Sequence, residues 1–315
     1  MRIAHGSILT ACVLTAGLAL STGIARASQR LSDVNVSDVT LQVDAQGEAL
    51  VSYRTQAGAL RHVLAWGAEN AVPPDPNVPQ QVFQLDYAGG WGKYRRSVAT
   101  GFRDACRPYT GPELVDVVTA CDAPDGSYWA IQSWQRVLPL RGVAPFAPGQ
   151  GDWELHLSHW TGDLATLQVS PHWTYGATLQ GLFGRLLYDG KPVYGFHTPS
   201  DRKGDRNARY FYIDTFDSAY GPGWKRDGAK VTHRPNGGFC YSFAPLPAPP
   251  PGYPAVPKVS GLGSRARVTV MGPGVTPDVQ WEGPMLGRYD ADEQKAFTAL
   301  FDSWIGDDPA CTAER

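Results

Sequence analysis

Apolar and polar residues alternate along much of this chain with the two-residue period of a β-strand. Val39, Leu41 and Val43 alternate with polar neighbours, Ala45-Gln46-Gly47 supplies a turn, and Ala49, Val51 and Tyr53 alternate again. That pattern predicts a hairpin near the start. Further strands are predicted over 60–66, 82–87, 128–137, 182–188, 193–197, 210–216, 239–243 and 266–271, separated by Gly, Pro, Asn and Asp clusters. A helical period stands out only near the carboxyl end. There Phe297, Leu300, Phe301 and Trp304 follow i, i+3, i+4, i+7 spacing behind an acidic first turn, which predicts an amphipathic helix over 292–305.

The expected fold is therefore all-β: an antiparallel β-sandwich or two β lobes, with one C-terminal amphipathic helix. A Pro- and Gly-rich stretch at 139–151 reads as a connector between an N-terminal lobe, 28–140, and a C-terminal lobe, 141–315. Residues 244–257 carry seven prolines and read as a stiff, extended segment.

The most defined local expectation is a hairpin over 152–172, turning at Thr161-Gly162-Asp163. In that register Trp153, Leu155 and Leu157 share a face with Leu167, Val169 and Pro171. Asp152, Glu154, His156 and Ser158 then share the other with Thr166, Gln168, Ser170 and His172. A slip of one residue would mix the two sets.

Composition fits this picture and adds a compartment. Gly (35), Pro (26), Trp (10) and Tyr (14) are abundant while charged residues make up 18%, a balance suited to short strands and many turns. The net charge of −2 provides no footprint for nucleic acid. Residues 1–27 have a basic Arg2, an apolar run over 8–20 and Ala25-Arg26-Ala27, the anatomy of a signal peptide cleaved before Ser28. No later stretch reads as transmembrane. The expected location is thus secreted or extracellular. Four cysteines remain after cleavage, Cys106, Cys121, Cys240 and Cys311, an even count that suggests two disulfides with three pairings open.

Three constellations carry candidate chemistry. Asp152, Glu154, His156 and His172 place two carboxylates and two imidazoles on one hairpin face, suited to acid–base work, to holding a metal, or to a solvated polar surface. His159 falls on the opposite face from His156, so the pair is not a metal motif, and no metal or other cofactor is expected. Tyr212 and Asp214, with Trp224 in the following loop, combine aromatic rings with a carboxylate in the manner of a sugar site.

The run Gly237-Gly238-Phe239-Cys240, with His233 and His197 upstream, resembles the His…Gly-Cys arrangement of cell-wall L,D-transpeptidases over a handful of residues. Phe239 interrupts the Gly-Cys step, no Arg follows and the spacing differs, so a disulfide is the expected role of Cys240. The 201–207 loop mixes oxygen donors with cations and reads as a solvated turn. Asn35-Val36-Ser37 is a formal glycosylation sequon.

Serine-hydrolase, zincin, P-loop and dinucleotide-binding motifs are absent from the sequence. The expected function is a non-catalytic carbohydrate-binding protein of the cell exterior or cell envelope, with a carbohydrate or cell-wall polymer as its partner. The alternatives are a secreted hydrolase or transferase using Asp152, Glu154 and Asp214 or a Cys240 thiolate, and a purely structural envelope protein.

Overall fold

The computed structural model describes residues 28–68, 83–139, 151–174, 179–196, 210–218, 220–227, 231–243, 263–272 and 275–306. The first strands are β1 (Ser28–Val34), β2 (Ser37–Val43), β3 (Ala49–Arg54), β4 (Leu60–Gly67) and β5 (Phe83–Asp86). A short helix, α1 (Trp91–Tyr94), precedes β6 (Arg107–Pro108), β7 (Val117–Asp122), β8 (Tyr128–Trp134) and β9 (Glu154–Trp160). The second series is β10 (Thr166–Thr174), β11 (Leu179–Tyr188), β12 (Lys191–Pro192), β13 (Tyr210–Ser218), β14 (Gly221–Arg226), β15 (Thr232–His233), β16 (Gly238–Ser242), β17 (Arg265–Gly272) and β18 (Val275–Pro284), closed by helix α2 (Ala291–Trp304).

These strands form four antiparallel sheets. Sheet β1-β9-β8-β7-β6 faces sheet β2-β3-β4-β5 over one core, in which Leu31, Val51, Val63, Trp129, Ile131 and Leu157 are fully buried. Sheet β10-β11-β16-β15 faces sheet β14-β13-β17-β18 over a second core built on Leu182, Phe211, Ile213, Phe239 and Val268. Each core comes from alternate residues of facing strands, as the period of two requires. The all-β, sandwich-like expectation matches this architecture.

The predicted first hairpin is β2 and β3, paired from Val43↔Ala49 outward. Helix α2 lays Phe297, Leu300, Phe301 and Trp304 against Phe183 on the outer face of the β11 sheet. Its N-cap, Asp290, accepts from the backbone N–H groups of Asp292 and Glu293. Residues 193–196 are not a strand, although Val193 and Phe196 enter the second core.

The 152–172 hairpin does not form. β9 pairs with β8 and β1, whereas β10 pairs with β11 in another sheet, so Thr161-Gly162-Asp163 lies in a crossover between sandwiches. β9 belongs to the first sandwich and β10 to the second, and residues 140–150 of the expected connector lie outside the described residues. The disulfide Cys106–Cys121 ties β7 to the residue just before β6, with a Cα–Cα distance of 5.6 Å. Cys240 is also disulfide-bonded. Cys311, the proline-rich 244–257 segment, the 201–207 loop and His197 lie outside the described residues.

Candidate functional site

Both faces of β9 are buried along its whole length. Leu155 and Leu157 enter the first core, while Glu154, His156, Ser158 and Trp160 point the other way. That second face is covered by β18, so the side chains expected on a solvated surface lie between the two sandwiches. Asp278 Oδ2 of β18 sits 2.9 Å from His156 Nδ1, and Glu154 Oε2 sits 3.7 Å from His156 Nε2. Trp134 Nε1 donates to Asp278 Oδ2 at 3.0 Å, and Gln132 pairs with the Asp278 backbone through both its amide atoms. Arg136 and Arg30 close the cluster on Glu154, at 2.8 and 3.1 Å.

The electrostatics follow from this packing. Burial raises the Glu154 carboxyl, but the His156 imidazole and the two guanidinium groups outweigh it and bring the pKa down to about 2. Burial lowers the His156 pKa, and the Asp278 and Glu154 carboxylates more than reverse it, so the imidazole is raised from its ordinary value. With its pKa lowered, Glu154 is an anion near neutral pH and unsuited to donating a proton there. Ser158 and His156 share this face of β9, and they and Asp278 are all buried.

Asp152 is not opposite His172. Its Oδ1 accepts from Asn35 Nδ2 at 2.6 Å, and Asn35 Oδ1 accepts from the Trp153 N–H at 3.0 Å, so the sequon side chain is engaged at both ends. His172 pairs through its backbone position with Gly181 on β11, a different sheet from β9. Tyr212 and Asp214 are on one face of β13, as expected, but that face is buried. Asp214 accepts a two-point contact from Arg226, at 2.6 and 3.1 Å, and two more contacts from Arg267, at 3.3 and 3.1 Å. The Arg226 guanidinium lies over the Tyr212 ring at 4.6 Å and also reaches the Arg136 carbonyl. Trp224 is half-buried, with Arg267 stacked 4.3 Å from its ring centre and Phe216 on its edge. The seven predicted residues are therefore distributed, and most serve as internal struts.

The described surface offers a different site. A cleft of about 530 Å³ opens in the first sandwich, lined by Asp44, Glu48, Tyr94, Arg96, Phe102 and Arg103 among others. One wall is the β2–β3 turn, where Asp44 Oδ1 accepts from the N–H groups of Gln46 and Glu48. The other is the loop from α1 to β6, which is held at both ends. Asp86 accepts from the N–H groups of Ala88, Gly90, Gly92 and Lys93, a count that outweighs burial and leaves its pKa lowered. At the far end Asp104 accepts from Val43 and Cys106, and the disulfide follows.

Inside the cleft Glu48 is paired with Lys93 and accepts the Tyr94 hydroxyl, while Lys93 lies 4.4 Å over the Trp66 ring. Arg96 and Arg103 are exposed and make no ion pair among the described residues. Sequence reasoning passed over this loop because its aromatic and basic residues follow no strand or helix period. The signal present was density: 91–107 holds Lys93, Arg95, Arg96, Arg103 and Arg107 against Asp104 alone. Among the described residues no cluster of His, Cys, Asp or Glu is arranged to hold a metal ion, and no helix is long and apolar enough to cross a membrane. The chain matches no protein-family model, no curated protein and no solved structure.

Proposed function

We propose that this chain is an exported, non-catalytic carbohydrate-binding protein whose ligand occupies the cleft between the β2–β3 turn and the 94–103 loop. The observation that carries the reading is the pre-organised cleft itself. An aromatic side chain, carboxylate acceptors and uncommitted arginines converge there on a loop pinned by Asp86, Asp104 and a disulfide. Sugar rings present C–H faces to aromatic side chains and hydroxyls to carboxylates and guanidinium groups, and a rigid wall reduces the ordering cost of binding. The Cys106–Cys121 bridge supports an oxidising compartment.

The enzyme alternative is weakened by the commitments of its carboxylates. Asp152 is bound to Asn35, Glu154 to two arginines and Asp214 to Arg226 and Arg267. A Cys240 thiolate is unavailable because that sulfur is already in a disulfide. The test is a panel of polysaccharides and cell-wall fragments on which bound protein and released reducing ends are scored in the same wells. Binding without release is expected. Release would favour a hydrolase, and no binding to any member would leave the structural reading.

A further inference from the structure

On the reading that the cleft binds saccharide, we infer that its ligand carries an acid group, as an anionic polysaccharide does. The charged groups facing the cleft are Asp44, Glu48, Arg96 and Arg103, with Lys93 behind Glu48. Glu48 is balanced by Lys93, and its oxygens are occupied by the Tyr94 hydroxyl. Asp44 turns one oxygen to its own backbone turn. Arg96 and Arg103 are left as two exposed guanidinium groups in a concave wall, with no carboxylate of this chain paired to either among the described residues.

Three arginines elsewhere in the described structure pair locally. Arg54 meets Asp38, Arg61 meets Asp33 and Arg265 meets Glu282, all within 3.1 Å. The cleft segment, 91–107, is itself dense in cations, with Lys93, Arg95, Arg96, Arg103 and Arg107 against Asp104. A planar guanidinium takes a carboxylate through two parallel N–H···O contacts and takes a sulfate in the same way. Tyr94, its hydroxyl tethered to Glu48 and its ring 42% exposed, offers a face to the sugar carrying that acid. The cleft thus has a cationic seat for the acid, a ring for the sugar and, in Asp44, an acceptor for a hydroxyl.

The experiment uses the full chain, secreted by an expression host, and titrates it calorimetrically with three oligosaccharides of equal length: polygalacturonate, a sulfated galactan and a neutral galactan. Binding of an acidic oligomer with no measurable binding of the neutral one is expected. Arg96→Gln or Arg103→Gln should each weaken it about tenfold, with a shallower salt dependence. The control removes two cations outside the cleft, Arg54→Gln with Arg288→Gln, and should bind as the parent does. Polygalacturonate alone would identify a carboxylate ligand, the sulfated oligomer alone a sulfate ester. Equal binding of the neutral oligomer, or equal weakening in the control, would overturn the inference while leaving a carbohydrate-binding protein. No binding to any of the three would overturn both.

Discussion

His156 Nδ1 of β9 and Asp278 Oδ2 of β18 meet at 2.9 Å with both side chains buried, an ion pair that joins one sandwich to the other. Neither imidazole nitrogen has a well-directed hydrogen bond, so the contact is ionic in character. The pair does not stand alone. Trp134 covers the imidazole at 4.6 Å between ring centres and donates its indole N–H to the same aspartate.

Removing one partner should be costly, because the charge left behind stays buried. Asp278→Asn or His156→Leu is expected to lose about 3–5 kcal/mol of stability, read from the urea midpoint. The double variant His156→Leu/Asp278→Leu should cost less than the sum of the two single changes, since the charges leave together. Additive losses would show that the two groups are independent.

Glu154 and His156 of the same network set a pH window. Glu154 has its carboxyl lowered from 4.5 to about 2, so its contribution is complete above pH 4.5 and is lost as pH falls toward 2. His156 is raised above 6.5, so its contribution is complete below pH 6.5 and is lost as pH rises through the raised value. The network is therefore at full strength between about pH 4.5 and 6.5. Thermal unfolding across pH 3–9 should peak in that interval, and the high-pH decline should disappear in His156→Leu.

Asp86 tests the architecture of the cleft without touching its lining. Asp86→Ala strips an acceptor from four backbone N–H groups at the start of the loop. A loss of about 1–3 kcal/mol is expected, together with weaker binding in the cleft. Unchanged affinity at equal folded fraction would show that the loop needs no anchor.

The disulfide makes a separate prediction. It closes a loop of 15 residues, for which chain entropy suggests about 3 kcal/mol. Cys106→Ser with Cys121→Ser should lower the denaturation midpoint accordingly and raise protease cutting within 99–116.

Gly184 on β11 is packed so closely by the Gln168 carbonyl and the Phe239 ring that a Cβ there has no room. Gly184→Ala is expected to cost about 1–3 kcal/mol, measured by the same denaturation assay. A neutral result would mean that β10 and β16 yield easily.

How much of this was readable depended on whether a segment's partners were near in sequence. β2 and β3 were readable because alternation and a short turn specify both the hairpin and its register. Helix α2 was readable because its apolar stripe and acidic first turn are local. Tyr212 and Asp214 of β13 were read as a surface that could meet a sugar, yet both are buried, on the face opposite the core residues Phe211 and Ile213. The cleft went unread, since a loop held by side chain to backbone bonds has no period to detect.

The sequence by itself determined the class of the fold, most strand positions and the helix, because a strand or helix writes its own period into consecutive residues. It also determined that β9 has two chemically distinct faces, one apolar and one charged. Only the tertiary structure decided that the charged face is inside. Polarity alone does not place a face in water when opposite charges arrive from elsewhere to neutralise it. Here they come from Arg30, 124 positions from Glu154, and the covering strand brings Asp278, 144 positions from Trp134. Local pattern carries no record of such distant partners, and a buried ion network is therefore visible only once the sheets have packed.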